Sequence, residues 1–337
     1  MAATQGFMPP ACKRSVLAAT LALAPCVAAH ATPTLAARAA AALTAAQTSP
    51  QCAAIRPFYW EIGDSRGALA SGSVERQGHR GAPTYSAHTV MAIASASKWP
   101  FAAYVVQREH GRLTPEQISM LNFTSGYTRF RFCMRWQTVD GCLQRIGNGT
   151  REASQIGKFH YSGGHMEKLA QQLGLGGDDN AALAAALHGE LGADIPFVYA
   201  QPQPAGGMVM DAAGYARFLR KLMDGRLLLG SMLGADAVCA DPATCPQQAS
   251  YSPAPKGSDW YYGLGHWIEG RPDDPDSVYS SAGAFGFYPW ISHDLHWYGI
   301  VARRADNFGA GIPSAECGAQ IRQAWISGRP PAPAASP

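Results

Sequence analysis

The sequence is short of charge. Only 15% of its 337 residues are Asp, Glu, Lys or Arg, and just six are lysine. Twenty-seven basic and 24 acidic residues leave a formal net charge of +3. There is no clustered basic face and no interleaving of aromatic with basic residues, so nothing is available to neutralise a phosphate backbone and no nucleic-acid partner is expected. Beyond the N-terminus no run approaches the ~20 apolar residues of a membrane span, so no membrane anchor is expected. Walker loops, dinucleotide fingerprints and EF-hand patterns are all missing, and neither cofactor nor metal is implied. Internal repeats are missing too. What is there is apolar: 47% hydrophobic residues can bury a sizeable core and exclude disorder, collagen or coiled coil for the bulk of the chain. The length fits two units or one two-lobed domain.

The first 31 residues have the pattern of an address. Lys13-Arg14 precede an apolar run from Ser15 to Ala29, which ends in Ala29-His30-Ala31. A basic start, a short apolar stretch and an A-x-A site predict a secretory signal peptide over 1–31, and a periplasmic or secreted protein. Leu23-Ala24-Pro25-Cys26 faintly resembles a lipoprotein cleavage box, but Pro25 before the cysteine argues against lipidation. Removing residues 1–31 takes away two basic and no acidic residues, leaving +1. Residues 329–337, rich in Pro and Ala, are expected to be a disordered tail.

Export changes the meaning of the cysteines. Of eight, Cys12 and Cys26 lie in the leader, and six remain for an oxidising compartment. Cys133/Cys142 and Cys239/Cys245 are near neighbours in sequence and would each staple one loop. Cys52 and Cys317 then pair by elimination, tying the start of the domain to its end. Zinc is the competing reading, although C-x8-C and C-x5-C are not knuckle spacings.

Along the chain, Phe58–Ile62 and Ala68–Val74 read as strands around a turn at Asp64–Gly67. That turn holds Gly63-Asp64-Ser65-Arg66-Gly67, a literal G-x-S-x-G. A nucleophile elbow needs this motif between strand and helix, and Ser71-Gly72-Ser73-Val74 is poor helix material, so the match is a coincidence. A helix is expected from Trp99 to His110 with Gly111 as its stop, and others over Leu35–Ala46, Met166–Leu173, Asn180–Leu191 and Asp211–Met223. Strands return over Trp260–Ile268, Phe285–Ile291 and His296–Arg303, and a helix over Ser314–Ile326 closes the chain. This order predicts an α/β (α+β) architecture, with one antiparallel sheet assembled from both chain ends (about 50–110 and 257–328), flanked by helices. A mostly helical lobe (about 111–256) would complete a domain spanning 32–328.

Ser95 and Lys98 carry the chemistry. At i and i+3 of a helix the two side chains share a face, so the amine can reach the hydroxyl. A serine hydroxyl becomes a useful nucleophile when a base takes its proton, and lysine can be that base if burial lowers its pKa from about 10.4. Backbone N–H groups at the helix start would favour a developing oxyanion. An S-x-x-K arises by chance often enough that context must decide.

Four further segments supply context. Met120-Leu121-Asn122-Phe123-Thr124-Ser125-Gly126-Tyr127 resembles the L-L-x-H-T-S-G-L stretch that follows S-x-x-K in class C β-lactamases. Phe159-His160-Tyr161-Ser162-Gly163-Gly164-His165 resembles their F-x-Y-S-N-x-x-Y, and Ala205-Gly206-Gly207-Met208 with Asp211–Phe218 resembles A-G-G-L…D-x-x-x-(F/Y)-x-x-F. Ser281-Ala282-Gly283-Ala284-Phe285-Gly286-Phe287 keeps the spacing of (H/K)-x-G-x-x-G-F. Together they make the chain similar to the serine β-lactamase and penicillin-binding-protein-like superfamily, on the side of class C-type esterases, DD-peptidases and nylon-oligomer hydrolases. The resemblance implies a β-lactamase/transpeptidase-like fold, with Ser95 as the acylated nucleophile, Lys98 as its proton acceptor and Tyr161 as a proton shuttle. It implies an oxyanion hole from the N–H groups of Ser95 and Ala284, and substrate contacts at Ser281, Gly283 and Gly163. Tyr161 as a core tyrosine and Ser281 as a plain strand serine remain open at this point.

The departures carry information. Gly163 stands where an amide would grip a substrate acylamino group, and Ser281 where a cation would meet a substrate carboxylate; Arg303 or Arg304 could compensate for the second loss. Asn122-Phe123 replaces x-His, a change expected to affect the loop rather than the chemistry. These changes favour hydrolysis of a small ester, amide or short-peptide substrate over the alternative of a β-lactamase or D-Ala-D-Ala carboxypeptidase. A non-catalytic binder of cell-wall peptide is the reading from another class, and the intact Ser95/Lys98/Tyr161 trio argues against it. His160, His165 and His266 are expected to be packing or surface histidines, and Asp178, Asp179, Asp273, Asp274 and Asp276 to be solvated.

Overall fold

Strand Phe58–Gly63 is buried at every position, whereas Ala68–Val74 is exposed or half-buried at every position but the last, Val74. One is therefore interior to a sheet and the other an edge. They form the expected hairpin, whose turn is held by Asp64 Oδ1 accepting from the N–H groups of Arg66 at 2.8 Å and Gly67 at 3.1 Å. Ser65 is exposed in that turn, between two antiparallel strands and far from any elbow.

The computed structural model describes residues 1–2, 32–76, 78 and 84–331, and residues from Pro33 onward form one compact unit. The leader read at 1–31 and the last six residues of the tail read at 329–337 lie outside the described residues, save for positions 1 and 2. Eight strands make the main sheet. From the hairpin edge the order is Ala68–Val74, Phe58–Gly63, Tyr298–Ala302, Tyr288–Ser292, then Val278–Ser280, His266–Glu269, Trp260–Gly263 and Val238–Cys239. Every neighbouring pair is antiparallel. Seven of its eight strands come from the two chain ends, as the sequence predicted; the eighth, the edge strand Val238–Cys239, comes from the segment expected to be helical.

Its two faces follow the period of two along each strand. Phe58, Trp60, Ile62, Trp290 and Val301 point to a core shared with Ala42 and Ala46 of helix Leu35–Thr48 and with Ile321 and Trp325 of helix Gly311–Ser327. Tyr59, Ile291, Ile300 and Ala302 point to the opposite core, which holds helix Lys98–Arg108 through Trp99, Ala102 and Val106. That second core fixes the helix whose start carries Ser95.

Several boundaries differ from the expectations. Trp260–Ile268 is two strands around Leu264-Gly265, whose φ values of 40° and 81° make a two-residue turn that pairs Gly263 with His266. The strand expected from Phe285 begins at Tyr288, because Gly286 at φ 104° closes a turn in which Gly283 N–H donates to Phe287 O at 2.8 Å. The last strand is Tyr298–Ala302, shorter at both ends than expected. The helix expected over Met166–Leu173 is Gly164–Ala170, followed by a wider turn that breaks at Gly174. Asn180–Leu191 holds as expected, and Asp211 caps Ala212–Met223 by accepting from Gly214 N–H.

The three cysteine pairs are Cys52–Cys317, Cys133–Cys142 and Cys239–Cys245, with Cα–Cα separations of 4.6, 5.0 and 6.4 Å. Cys52–Cys317 spans 265 residues and Cys239–Cys245 only six. The loop-closure account makes the first worth about 5.6 kcal/mol and the second about 2. The Cys52→Ser/Cys317→Ser variant should therefore lose more stability in non-reducing urea unfolding than Cys239→Ser/Cys245→Ser. Equal losses would contradict the loop-length argument.

Candidate active site

Strand Met91–Ala92 pairs with Met208–Met210, and Ile93 N–H donates to Met208 O at 3.1 Å. The chain then reverses through Ala94, whose φ of 45° lies in the left-handed region. A non-glycine residue there costs of order 1 kcal/mol, so the surroundings must hold it. They do so on several sides. Ser97 Oγ donates to Ala94 O at 2.6 Å and accepts from Met208 N–H at 3.2 Å. Tyr215 OH donates to Ala96 O at 2.8 Å, and Ser281 Oγ donates to Ser95 O at 3.2 Å. One tight turn, Ala94–Ser97, leads into helix Lys98–Arg108 and presents Ser95 at its start.

Lys98 Nζ lies 2.9 Å from Ser95 Oγ and donates to Ala205 O at 2.7 Å. The side chain is buried, and among the described residues no carboxylate pairs with it. Burial without a counter-charge lowers its pKa to about 7. Near neutrality a large share of Lys98 is therefore a free amine facing the serine hydroxyl.

Tyr161 follows strand Phe159–His160. Its ring stacks on Trp267 at 5.0 Å and meets the Phe123 ring edge-on at 5.5 Å, with Lys98 Nζ 4.9 Å from its centroid. Burial pushes the phenol up to about 12, and hydrogen bonding with Ser95 and Trp267 works the other way. At neutral pH Tyr161 is a phenol. It can donate a proton, while Lys98 is the group able to accept one.

Gly283 closes the fourth side. A Cβ there would lie 2.1 Å from Ile93 O, so only glycine lets this segment touch the turn before Ser95. The next residue, Ala284, has its carbonyl fixed by Ala310 N–H at 2.9 Å. Among the described residues the N–H groups of Ser95 and Ala284 find no acceptor. Free amides of this kind suit an oxyanion.

No protein-family model matches the sequence, and no curated protein does. Solved structures do match. The D-amino acid amidase from Ochrobactrum anthropi SV3, complexed with D-phenylalanine, aligns over 84% of this chain and 98% of its own, with TM-score 0.60 and 12% identity. EstCE1, described as a hydrolase with promiscuous acyltransferase activity, aligns over 87% and 99% with TM-score 0.56 and 13% identity. A β-lactamase from Mycobacterium bovis aligns over 81% and 96% with TM-score 0.52 and 17% identity. The chain has the β-lactamase/transpeptidase fold.

Within this β-lactamase fold the remaining expected residues find their places. Ser281 is buried and spends its hydroxyl on Ser95 O, so it braces the turn that carries Ser95. The Arg303 guanidinium donates to Ser314 Oγ and Ala310 O, and Arg304 is exposed, its backbone bonded to Tyr85 OH. His165 and His266 are wholly buried; burial drives them to about 3 and about 4, and they are neutral packing groups. His160 is half-buried beside Ser250. Phe123, in place of the usual histidine, takes φ 64° and stacks on His165 and Tyr262, a loop and core role as expected.

Sequence reasoning missed three residues that touch the β-lactamase-fold site. Ala205 supplies the carbonyl that holds Lys98, Trp267 the surface under Tyr161, and Phe130 the cover over Gly163. Only Ala205 lay in a motif segment, where its backbone carbonyl left no mark in the sequence.

Proposed function

We propose that this protein is an exported serine hydrolase that cleaves ester or amide bonds of small substrates through an acyl-enzyme on Ser95. The observation that carries the reading is the buried, unpaired Lys98 amine 2.9 Å from the Ser95 hydroxyl. Lys98 Nζ takes the hydroxyl proton as Ser95 Oγ bonds to the substrate carbonyl carbon, and the oxygen's charge falls on the N–H groups of Ser95 and Ala284. The carbon–oxygen or carbon–nitrogen bond breaks, and the proton passes to the leaving group by way of Lys98 and the Tyr161 phenol. Water enters by the reverse route: Lys98 accepts its proton, hydroxide adds to the acyl carbon, and Ser95 leaves with a proton returned. Three disulfides support export, since such bonds persist in oxidising compartments.

A fluorophosphonate probe followed by peptide mapping tests the assignment, and a single adduct on Ser95 is expected. Because Lys98 must be neutral to accept the proton, the labelling rate should rise through an apparent pKa of about 7 and level off above it. A pH-independent rate, or an adduct on Ser65, would refute the mechanism. Protection of Ser95 by prior benzylpenicillin would move the substrate to the β-lactams.

A further inference from the structure

We propose that Phe130 is the specificity-determining residue of this site, and that it selects neutral esters or amides with an apolar acyl group. The inference rests on Ser95 being the nucleophile.

Two successive glycines make the seat. A Cβ on Gly163 would come within 3.0 Å of the Phe130 ring and 3.4 Å of the Ala205 methyl. A Cβ on Gly164 would lie 2.6 Å from Tyr127 O and 3.2 Å from Phe130 Cβ. The segment 127–130 can lie on the start of helix Gly164–Ala170 only because both side chains are missing. The ring of Phe130 then occupies the space that a side chain at position 163 would fill.

That space adjoins the reacting groups. Ala205, the other neighbour of Gly163, is the residue whose carbonyl accepts from Lys98 Nζ at 2.7 Å, and Tyr161 lies two residues before Gly163. Phe130 is one side-chain layer from the nucleophile and its base, and it is half-buried, so part of the ring remains uncovered. Tyr161 itself is backed by two buried aromatic rings, Phe123 and Trp267. Among the described residues no guanidinium or carboxylate hydrogen-bonds to Ser95, Lys98, Tyr161 or Ser281. An ionised substituent laid against the Phe130 ring would lose its water to an aromatic face, which is costly, whereas an alkyl or aryl acyl group gains up to about fourfold per buried methylene.

The test is kcat/KM on p-nitrophenyl acetate, butyrate and octanoate for the wild type, Phe130→Ala and Phe130→Leu. The wild type should favour octanoate over acetate by about tenfold or more. Phe130→Ala should bring that ratio near one, chiefly through a higher KM for octanoate, while Phe130→Leu keeps most of the preference. An unchanged ratio in Phe130→Ala overturns the proposal, as does a wild-type preference for acetate. Loss of acetate turnover in both variants makes Phe130 structural and overturns it too. Fluorophosphonate labelling separates the two levels. Labelling of Ser95 without chain-length selectivity sinks only the Phe130 assignment; no labelling and no ester turnover sink the Ser95 reading and this inference together.

Discussion

Ser95→Ala should lower turnover of any ester or amide substrate by roughly 10⁴ to 10⁶, and Lys98→Ala should come within an order of magnitude of it. The two act as one unit, so the double variant should be no worse than the more damaged single variant. Removing the hydroxyl of the half-buried Ser95 takes away its contacts with Lys98 and Tyr161 and should leave stability nearly unchanged. Lys98 differs. Its pKa is depressed in the folded state, so between about 7 and 10.5 the unfolded chain binds the extra proton, and stability rises with pH across that window. Lys98→Met should therefore melt higher than the wild type at pH 7, with the gap closing as pH approaches 10.5. Turnover retained by either single variant would end the mechanism, and a Lys98→Met that melts lower at pH 7 would show that the amine is not held against its preference.

The second large effect is expected at Gly283→Ala. The added methyl would sit 2.1 Å from Ile93 O, and backbone against backbone cannot be relieved by turning a side chain. The segment must retreat from the nucleophile turn, carrying the Ala284 N–H with it. Loss of one oxyanion donor should cut kcat about 10²- to 10³-fold with a much smaller change in KM. Ser281→Ala, which deletes only the 3.2 Å bond to Ser95 O, is the control and should cost far less. If Gly283→Ala stays within about threefold of wild type, Ala284 is not a donor to the oxyanion.

Most of what could be seen in the sequence was local. The Phe58–Val74 hairpin, helix Asn180–Leu191 and the Cys133–Cys142 and Cys239–Cys245 pairs rest on short-range pattern or cysteine spacing, Cys52–Cys317 followed by elimination, and the structure holds them all. The break at Leu264-Gly265 was missed because Trp260–Glu269 is mostly buried, leaving no alternation to interrupt, and because leucine at φ 40° is an unusual turn residue. The Ser95–Lys98 contact followed from helical spacing. The depressed lysine pKa did not, because it depends on a cavity built by residues distant in sequence, Ala205 among them. Phe130 over Gly163 was invisible for the same reason: the missing amide at 163 could be read, but not what took its place.

The pairing that joins the two chain ends in the sheet, Tyr59–Gly63 with Tyr298–Ala302, also orders events in time. Strand Phe58–Gly63 is made early on the ribosome, yet one of its two partners is made near the end, as is helix Gly311–Ser327, which supplies Ile321 and Trp325 to the core holding Phe58, Trp60 and Ile62. A nascent chain therefore carries a largely apolar strand, with Glu61 its one charged residue, through most of its synthesis with one edge open. Closing that edge spans nearly the whole domain, which makes folding slow and late and leaves the unfinished chain dependent on being kept from its neighbours until the last helix emerges.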